Sequence, residues 1–208
     1  RRDVIHGLVS VESEAATEAL KQYVLDTWPR SGQGTVYLEN YAGSFRRSRA
    51  LAEVARRDST WLADLALKEM ASGHLAARAF GFDVFRQIIG HSFDVRPKAF
   101  AAHRKGDLAL IREWWIEHRG QTREAWLLST FRKKGFVMDR LGHPDSLPVL
   151  VEALHADGLT HNLAVEQISV ITGKFFTEFR TTPSYQGPER MTIRVIGWLK
   201  ARGYIEKT

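Results

Sequence analysis

The sequence predicts an all-α chain of stacked helical hairpins, and three observations carry that prediction. Apolar residues recur at helical spacing along nearly the whole chain, with little of the alternation that marks a strand. Segment after segment closes on glycine, the residue best able to end a helix in a left-handed turn. The chain also resembles itself at an interval of 83 residues.

Taken in order, "SVESEAATEALKQYVLDTW" carries Ala16, Leu20, Tyr23 and Val24 on one face, with acidic residues in its first turn, where the helix dipole favours them. "RALAEVARRD" and "STWLADLALKEMASG" follow, with Ser59 or Thr60 placed to cap the second and Gly73 to end it. "HLAARAFGFDVFRQIIG" is a further helix, closed by Gly90. A loop, "HSFDVRPKAFAAHRKG", then leads to "DLALIREWWIEHRG", closed by Gly120. "QTREAWLLSTFRKKG" opens on a threonine with an early glutamate and again finishes on glycine. In "HPDSLPVLVEALHADG", Leu147, Leu150, Val151 and Leu154 stand at i, i+3, i+4 and i+7, with Pro144 and Asp145 as start signals, His143 as a cap and Gly158 as the stop. "HNLAVEQISVITG" repeats the pattern. After a second long loop, "PERMTIRVIGWLKARG" has Pro188 at a first-turn position and ends on Gly203.

Shifted by 83, Ile88 meets Ile171, Gly90 meets Gly173, Phe93 meets Phe176, Trp115 meets Trp198, and Arg119-Gly120 meets Arg202-Gly203. That is six identities between positions 81 and 120, where composition alone gives about two or three. Upstream, "SFRRSRALAEVARRDSTWL" resembles "TFRKKGFVMDRLGHPDSL" at an offset of 85 to 86. The chain is therefore expected to form a single helical repeat domain over 1–208, with an N-terminal helical segment at 1–40 and repeat units at 45–120 and 131–203. In this register Trp115 and Trp198 are matched core knobs. Trp114, set against Gly197, has no counterpart and is the better candidate for an exposed anchor.

An interval of 83 is about twice the 40 to 47 residues of a HEAT or armadillo hairpin. "LGHPDSLPVLVEALHADGLTHNLAVEQISVITG" resembles a HEAT repeat of the bacterial, phycobilisome-lyase-like type: a Pro-Asp turn, a first helix, a polar turn and a second helix of small and aliphatic residues. The resemblance covers residues 141 to 173 best and extends to 59–90 and 122–140. It implies a HEAT-like α-solenoid, in which hairpins stack because none can bury both its faces alone.

Composition narrows the function. At 208 residues and 44% apolar, the chain has ample material for a core. The absence of cysteine removes disulfides, thiolate metal sites and a cysteine nucleophile. No run is long and apolar enough for a membrane helix, and "RRDVIHGLVSVESE" holds no signal-peptide core, so a soluble, cytoplasmic protein is expected. The opening "RRDVIHGL" reads like the interior of a helix, which suggests further residues upstream. The histidines lack metalloprotease spacing, "SGQG" lacks the Lys-Ser/Thr of a phosphate loop, and Glu113 with Glu117 read as a solvated face. No catalytic residue, metal, cofactor or small-molecule substrate is expected.

What remains is a net charge of +6, concentrated in clusters. Arg46, Arg47 and Arg49 form one, Arg56 with Arg57 another, and Arg132, Lys133 and Lys134 a third. With Trp114 as an anchor, these residues point to a non-catalytic scaffold that binds an acidic protein partner, since arginine and tryptophan are enriched at interface hot spots. The alternative is a nucleic-acid-binding helical repeat or winged helix, in which the same cations would meet phosphates. "PERMTIRVIGWLKARGYIEKT" resembles a recognition helix and first wing strand, although fourteen residues separate Gly173 from Pro188.

Overall fold

The structure, a computed structural model, describes residues 2–29, 49–93, 95, 105–156, 158–174, 176 and 188–206, and all regular structure among them is helical. By compactness the chain divides into two units, 1–123 and 124–208. The segments 1–40 and 45–120 fall in the first, and 131–203 falls in the second.

The first unit contains α1 (Arg2–Ser10), α2 (Glu14–Thr27), α3 (Arg49–Arg57), α4 (Ser59–Met70), α5 (Leu75–Ile89) and α6 (Lys105–His118). Ser13 starts α2 by accepting the Ala16 N–H at 3.1 Å, and Glu14 follows in the first turn. The cap of α4 is Asp58, which accepts the Trp61 N–H at 3.0 Å, and not Ser59 or Thr60. A carboxylate one residue earlier does the same work and adds charge at the positive end of the helix dipole. Gly90 ends α5 at φ 76°, as its position in the sequence predicts.

The core of this unit joins Leu20, Val24 and Trp28 of α2 and its C-terminal end to Leu51 and Val54 of α3, Leu62 of α4, and Phe80, Phe82, Phe85 and Ile88 of α5. Trp28 presents its ring to Phe80 edge-on, with centroids 4.7 Å apart. Helices α4 and α5 form a hairpin of close approach. A Cβ on Gly81 would lie 2.7 Å from the Ala66 carbonyl oxygen, so only glycine lets the two backbones come this near.

The second unit takes α7 (Arg123–Lys133) from its second residue on, then a single 3-10 turn at Pro144–Ser146, α8 (Leu147–Ala153), α9 (Gly158–Thr172) and α10 (Pro188–Ala201). His143 caps the turn through Nδ1, which accepts the Asp145 N–H. Leu127, Phe131, Leu147, Leu150, Leu154, Leu163, Ile168, Val195 and Leu199 form the core with Phe176. The helix expected to run to Gly158 stops at Ala153, and Gly158 begins α9 instead. The Leu154 carbonyl at this break is held by two buried side chains, His161 Nδ1–H of α9 at 2.7 Å and the Thr192 hydroxyl of α10 at 3.0 Å. One strong acceptor thus ties three helices together, which a continuous helix would have consumed internally.

α7 and α10 both end in the same way. Phe136 N–H reaches Phe131 O and Tyr204 N–H reaches Leu199 O, with Gly135 and Gly203 left-handed at φ 88° and 74°. Paired bonds of this kind satisfy the last carbonyls of a helix. α5 and α9 are both fifteen residues long and α6 and α10 both fourteen, and each pair starts 83 residues apart. Upstream the correspondence lapses, because residues 135–143, set over α3 by the sequence comparison, contain no helix.

Candidate interaction surface

Of the basic residues singled out in the sequence, Arg46 and Arg47 lie outside the described residues. Arg49 is half-buried at the start of α3. Arg56 is exposed, but its guanidinium already holds Glu12 and Glu53, each at 2.7 Å. Its neighbour Arg57 is drawn inward, with 8% of its side chain exposed. There it donates to Glu53 at 2.6 Å, to the Thr17 hydroxyl at 3.2 Å, and to the Leu8 and Val9 carbonyls at the end of α1. Burial pushes the Glu53 carboxyl up, but the hydrogen bonds and charges of Arg56 and Arg57 outweigh it, leaving its pKa below the usual value. This group is a joint between α1, α2 and α3. Little net field is left at Arg56 to attract an acidic ligand.

Arg132, Lys133 and Lys134 are presented differently. Trp126, Leu127 and Phe131 anchor the inner face of α7, which turns the three cations outward at its C-terminal end, and all three are exposed. The negative end of the helix dipole and the closing turn at Gly135 hold them on a fixed piece of backbone. The exposed Val137 lies just beyond them.

The two tryptophans of α6 have separate roles, but not along the line the sequence drew. Trp115 is core, with 3% exposed: it meets Phe85 edge-on at 5.5 Å and donates its indole N–H to Asp64 of α4 at 2.8 Å. Asp64 also takes Arg119 at 2.6 Å. Burial raises the Asp64 pKa, but the bonds from Arg119 and Trp115, with the Arg119 charge, lower it further, so the net shift is down.

Trp114 is half-buried. Its ring stacks on His118, four residues ahead, with centroids 4.2 Å apart and planes 7° apart, and it meets Phe93 edge-on at 5.7 Å. The Trp114 carbonyl can only accept, so His118 Nδ1 carries the proton in their 2.8 Å bond. Phe93 sits at φ 51°, its N–H bound to His91 Nδ1 at 3.0 Å.

Trp198 repeats this arrangement. It meets Phe176 edge-on at 5.2 Å, and Arg202, again four residues ahead, lies over its ring at 5.7 Å. In packing, Trp198 therefore corresponds to Trp114 and not to Trp115. Buried Ile111 and Trp115 likewise correspond to buried Val195 and Leu199, a step of 84 where the sequence identities gave 83. The expectation that Trp114 has no counterpart is therefore not met in packing: it is a half-buried covering ring set against Phe93, as Trp198 is against Phe176.

Sequence reasoning missed three large apolar side chains that stay in solvent on these helices. Leu110 and Ile116 of α6 are 64% and 78% exposed, and Ile193 of α10 is 68% exposed. Their signal was present as apolar residues on the outward side of each helix, but neighbouring charges masked it. Among the described residues no group of three His, Asp or Glu could hold a metal ion, and no helix is long and apolar enough to cross a membrane. Comparison with family models, with curated proteins and with solved structures gives no match.

Proposed function

We propose that the chain is a HEAT-like stack of helical hairpins that serves as a non-catalytic scaffold, binding an acidic protein partner through the basic end of α7. The observation that carries this reading is the outward presentation of Arg132, Lys133 and Lys134 on a helix whose opposite face is anchored by Trp126, Leu127 and Phe131. Three cations on a fixed turn recognise carboxylates with a smaller entropy cost than they would on a loose tail. The duplication is supported by the equal spans of α5 and α9 and of α6 and α10, and by the matched seating of Trp114 and Trp198. Arg56 contributes less to this function than its sequence context suggests, because Glu12 and Glu53 neutralise it.

Affinity capture from cells of the source organism, with the wild-type chain and with Arg132→Glu/Lys133→Glu/Lys134→Glu in parallel, tests this reading. It expects an acidic protein recovered by the first and lost from the second, while both keep the same circular dichroism spectrum. Recovery of nucleic acid instead, lost in the same variant, would move the reading to phosphate binding.

A further inference from the structure

Two outward helix faces of this chain complement each other residue by residue. On α6, opposite buried Ile111 and Trp115, the outward positions Gly106, Leu110, Glu113 and Glu117 are all exposed. On α10, opposite buried Val195 and Leu199, the outward positions Arg190, Arg194, Gly197 and Ala201 are all exposed. Both sets run at intervals of four, three and four, the spacing of a seam along which two helices pack.

Laid antiparallel, the two seams set Glu117 beside Arg190, Glu113 beside Arg194, Leu110 over Gly197 and Gly106 beside Ala201. Both charge pairs attract. The one large apolar seam residue, Leu110, meets Gly197, which has nothing within 4 Å of where its Cβ would be. In an antiparallel pair like flanks face each other, which also brings Ile116 beside Ile193, two of the most exposed apolar side chains among the described residues.

Other pairings do not match. A parallel arrangement sets Leu110 against Arg194 and leaves both glutamates beside small residues. α6 against a second α6 sets Leu110 against Glu113 and gathers four carboxylates, and α10 against a second α10 gathers four guanidinium groups. Like charges at such range disfavour both.

We propose that the chain associates with itself, α6 of one copy docking antiparallel on α10 of a second copy. Each helix is about 21 Å long, so one such contact is small, and the association is weak and sensitive to salt. This inference uses none of the residues assigned to the acidic partner, so either can fail alone.

Sedimentation velocity from about 1 µM to about 1 mM at low salt tests it. The wild-type chain is expected to grow in average mass with concentration and to lose that growth at high salt. Glu113→Arg/Glu117→Arg is expected to stay monomeric, and so is Arg190→Glu/Arg194→Glu. An equimolar mixture of the two variants is expected to associate, because each charge-reversed seam then faces its complement on the other copy. Gly197→Leu, which fills the seam without changing charge, is expected to weaken association about tenfold or more. All these positions are exposed, so the variants are expected to fold as the wild type does. A wild-type chain that stays monomeric throughout, a reversal variant that associates as well as the wild type, or a mixture that stays monomeric overturns the proposal.

Discussion

Asp64 of α4 receives the Trp115 indole N–H at 2.8 Å and the Arg119 guanidinium at 2.6 Å, so one carboxylate fastens α6 by a buried ring and an exposed cation at once. Removing the ring is expected to cost far more than removing the cation. Trp115→Ala should destabilise the chain by about 3–5 kcal/mol, as for a large core side chain. Arg119→Ala should change stability far less, because that pair is solvated. Urea unfolding followed by circular dichroism compares the two.

Acid should weaken the fold through Asp64 and Glu53. Both carboxyls have folded pKa values below their ordinary 3.8 and 4.5. A lowered folded pKa stabilises above the ordinary value and is lost as pH falls through the folded one. Stability is therefore expected to be level near neutrality and to fall below about pH 4.5. In Asp64→Asn or Glu53→Gln the fall should be shallower, which unfolding midpoints at pH 7 and pH 3.5 measure.

Arg56 and Arg57 are adjacent but should behave differently. Arg57→Ala leaves the Glu53 carboxylate, 13% exposed, without its inner partner and frees the Leu8 and Val9 carbonyls. A loss of about 2–3 kcal/mol is expected. Arg56→Ala should cost under about 1 kcal/mol, its side chain being half exposed. Thermal unfolding of both variants checks the contrast.

Gly81→Ala should loosen the α4–α5 hairpin. The added methyl would meet two backbone atoms, Ala66 O at 2.7 Å and Met70 N at 3.2 Å, neither of which can rotate away. A cost of about 1–3 kcal/mol is expected. Gly73→Ala, with nothing within 4 Å, should change stability by no more than about 0.5 kcal/mol.

The sequence revealed features whose cause is local. Pro188 opens α10, Gly90 closes α5 and the acidic Glu14 lies in the first turn of α2 because a fixed φ, a missing Cβ and a charge at the helix dipole act within one turn. Gly158 was misread because a glycine after one helix and a glycine before the next look alike in a string of letters. The likeness in packing between Trp198 and Trp114 was hidden for a related reason. Identities count positions, whereas packing counts faces, and a one-residue step turns a helix by 100°. Arg56 and Arg132 read alike as letters, but only tertiary contacts decide that one meets Glu12 and Glu53 while the other stays in solvent.

The scaffold reading stands or falls on what the basic end of α7 attracts. Fluorescence anisotropy of a labelled polyglutamate peptide and of a labelled DNA duplex, each titrated with the wild-type chain and with Arg132→Glu/Lys133→Glu/Lys134→Glu at low salt, measures this directly. The wild type is expected to bind the acidic peptide more tightly than the duplex, and the variant to lose at least about tenfold in peptide affinity, from three reversed charges. Equal peptide binding by the two proteins, or tighter binding of the duplex by the wild type, would contradict the scaffold reading.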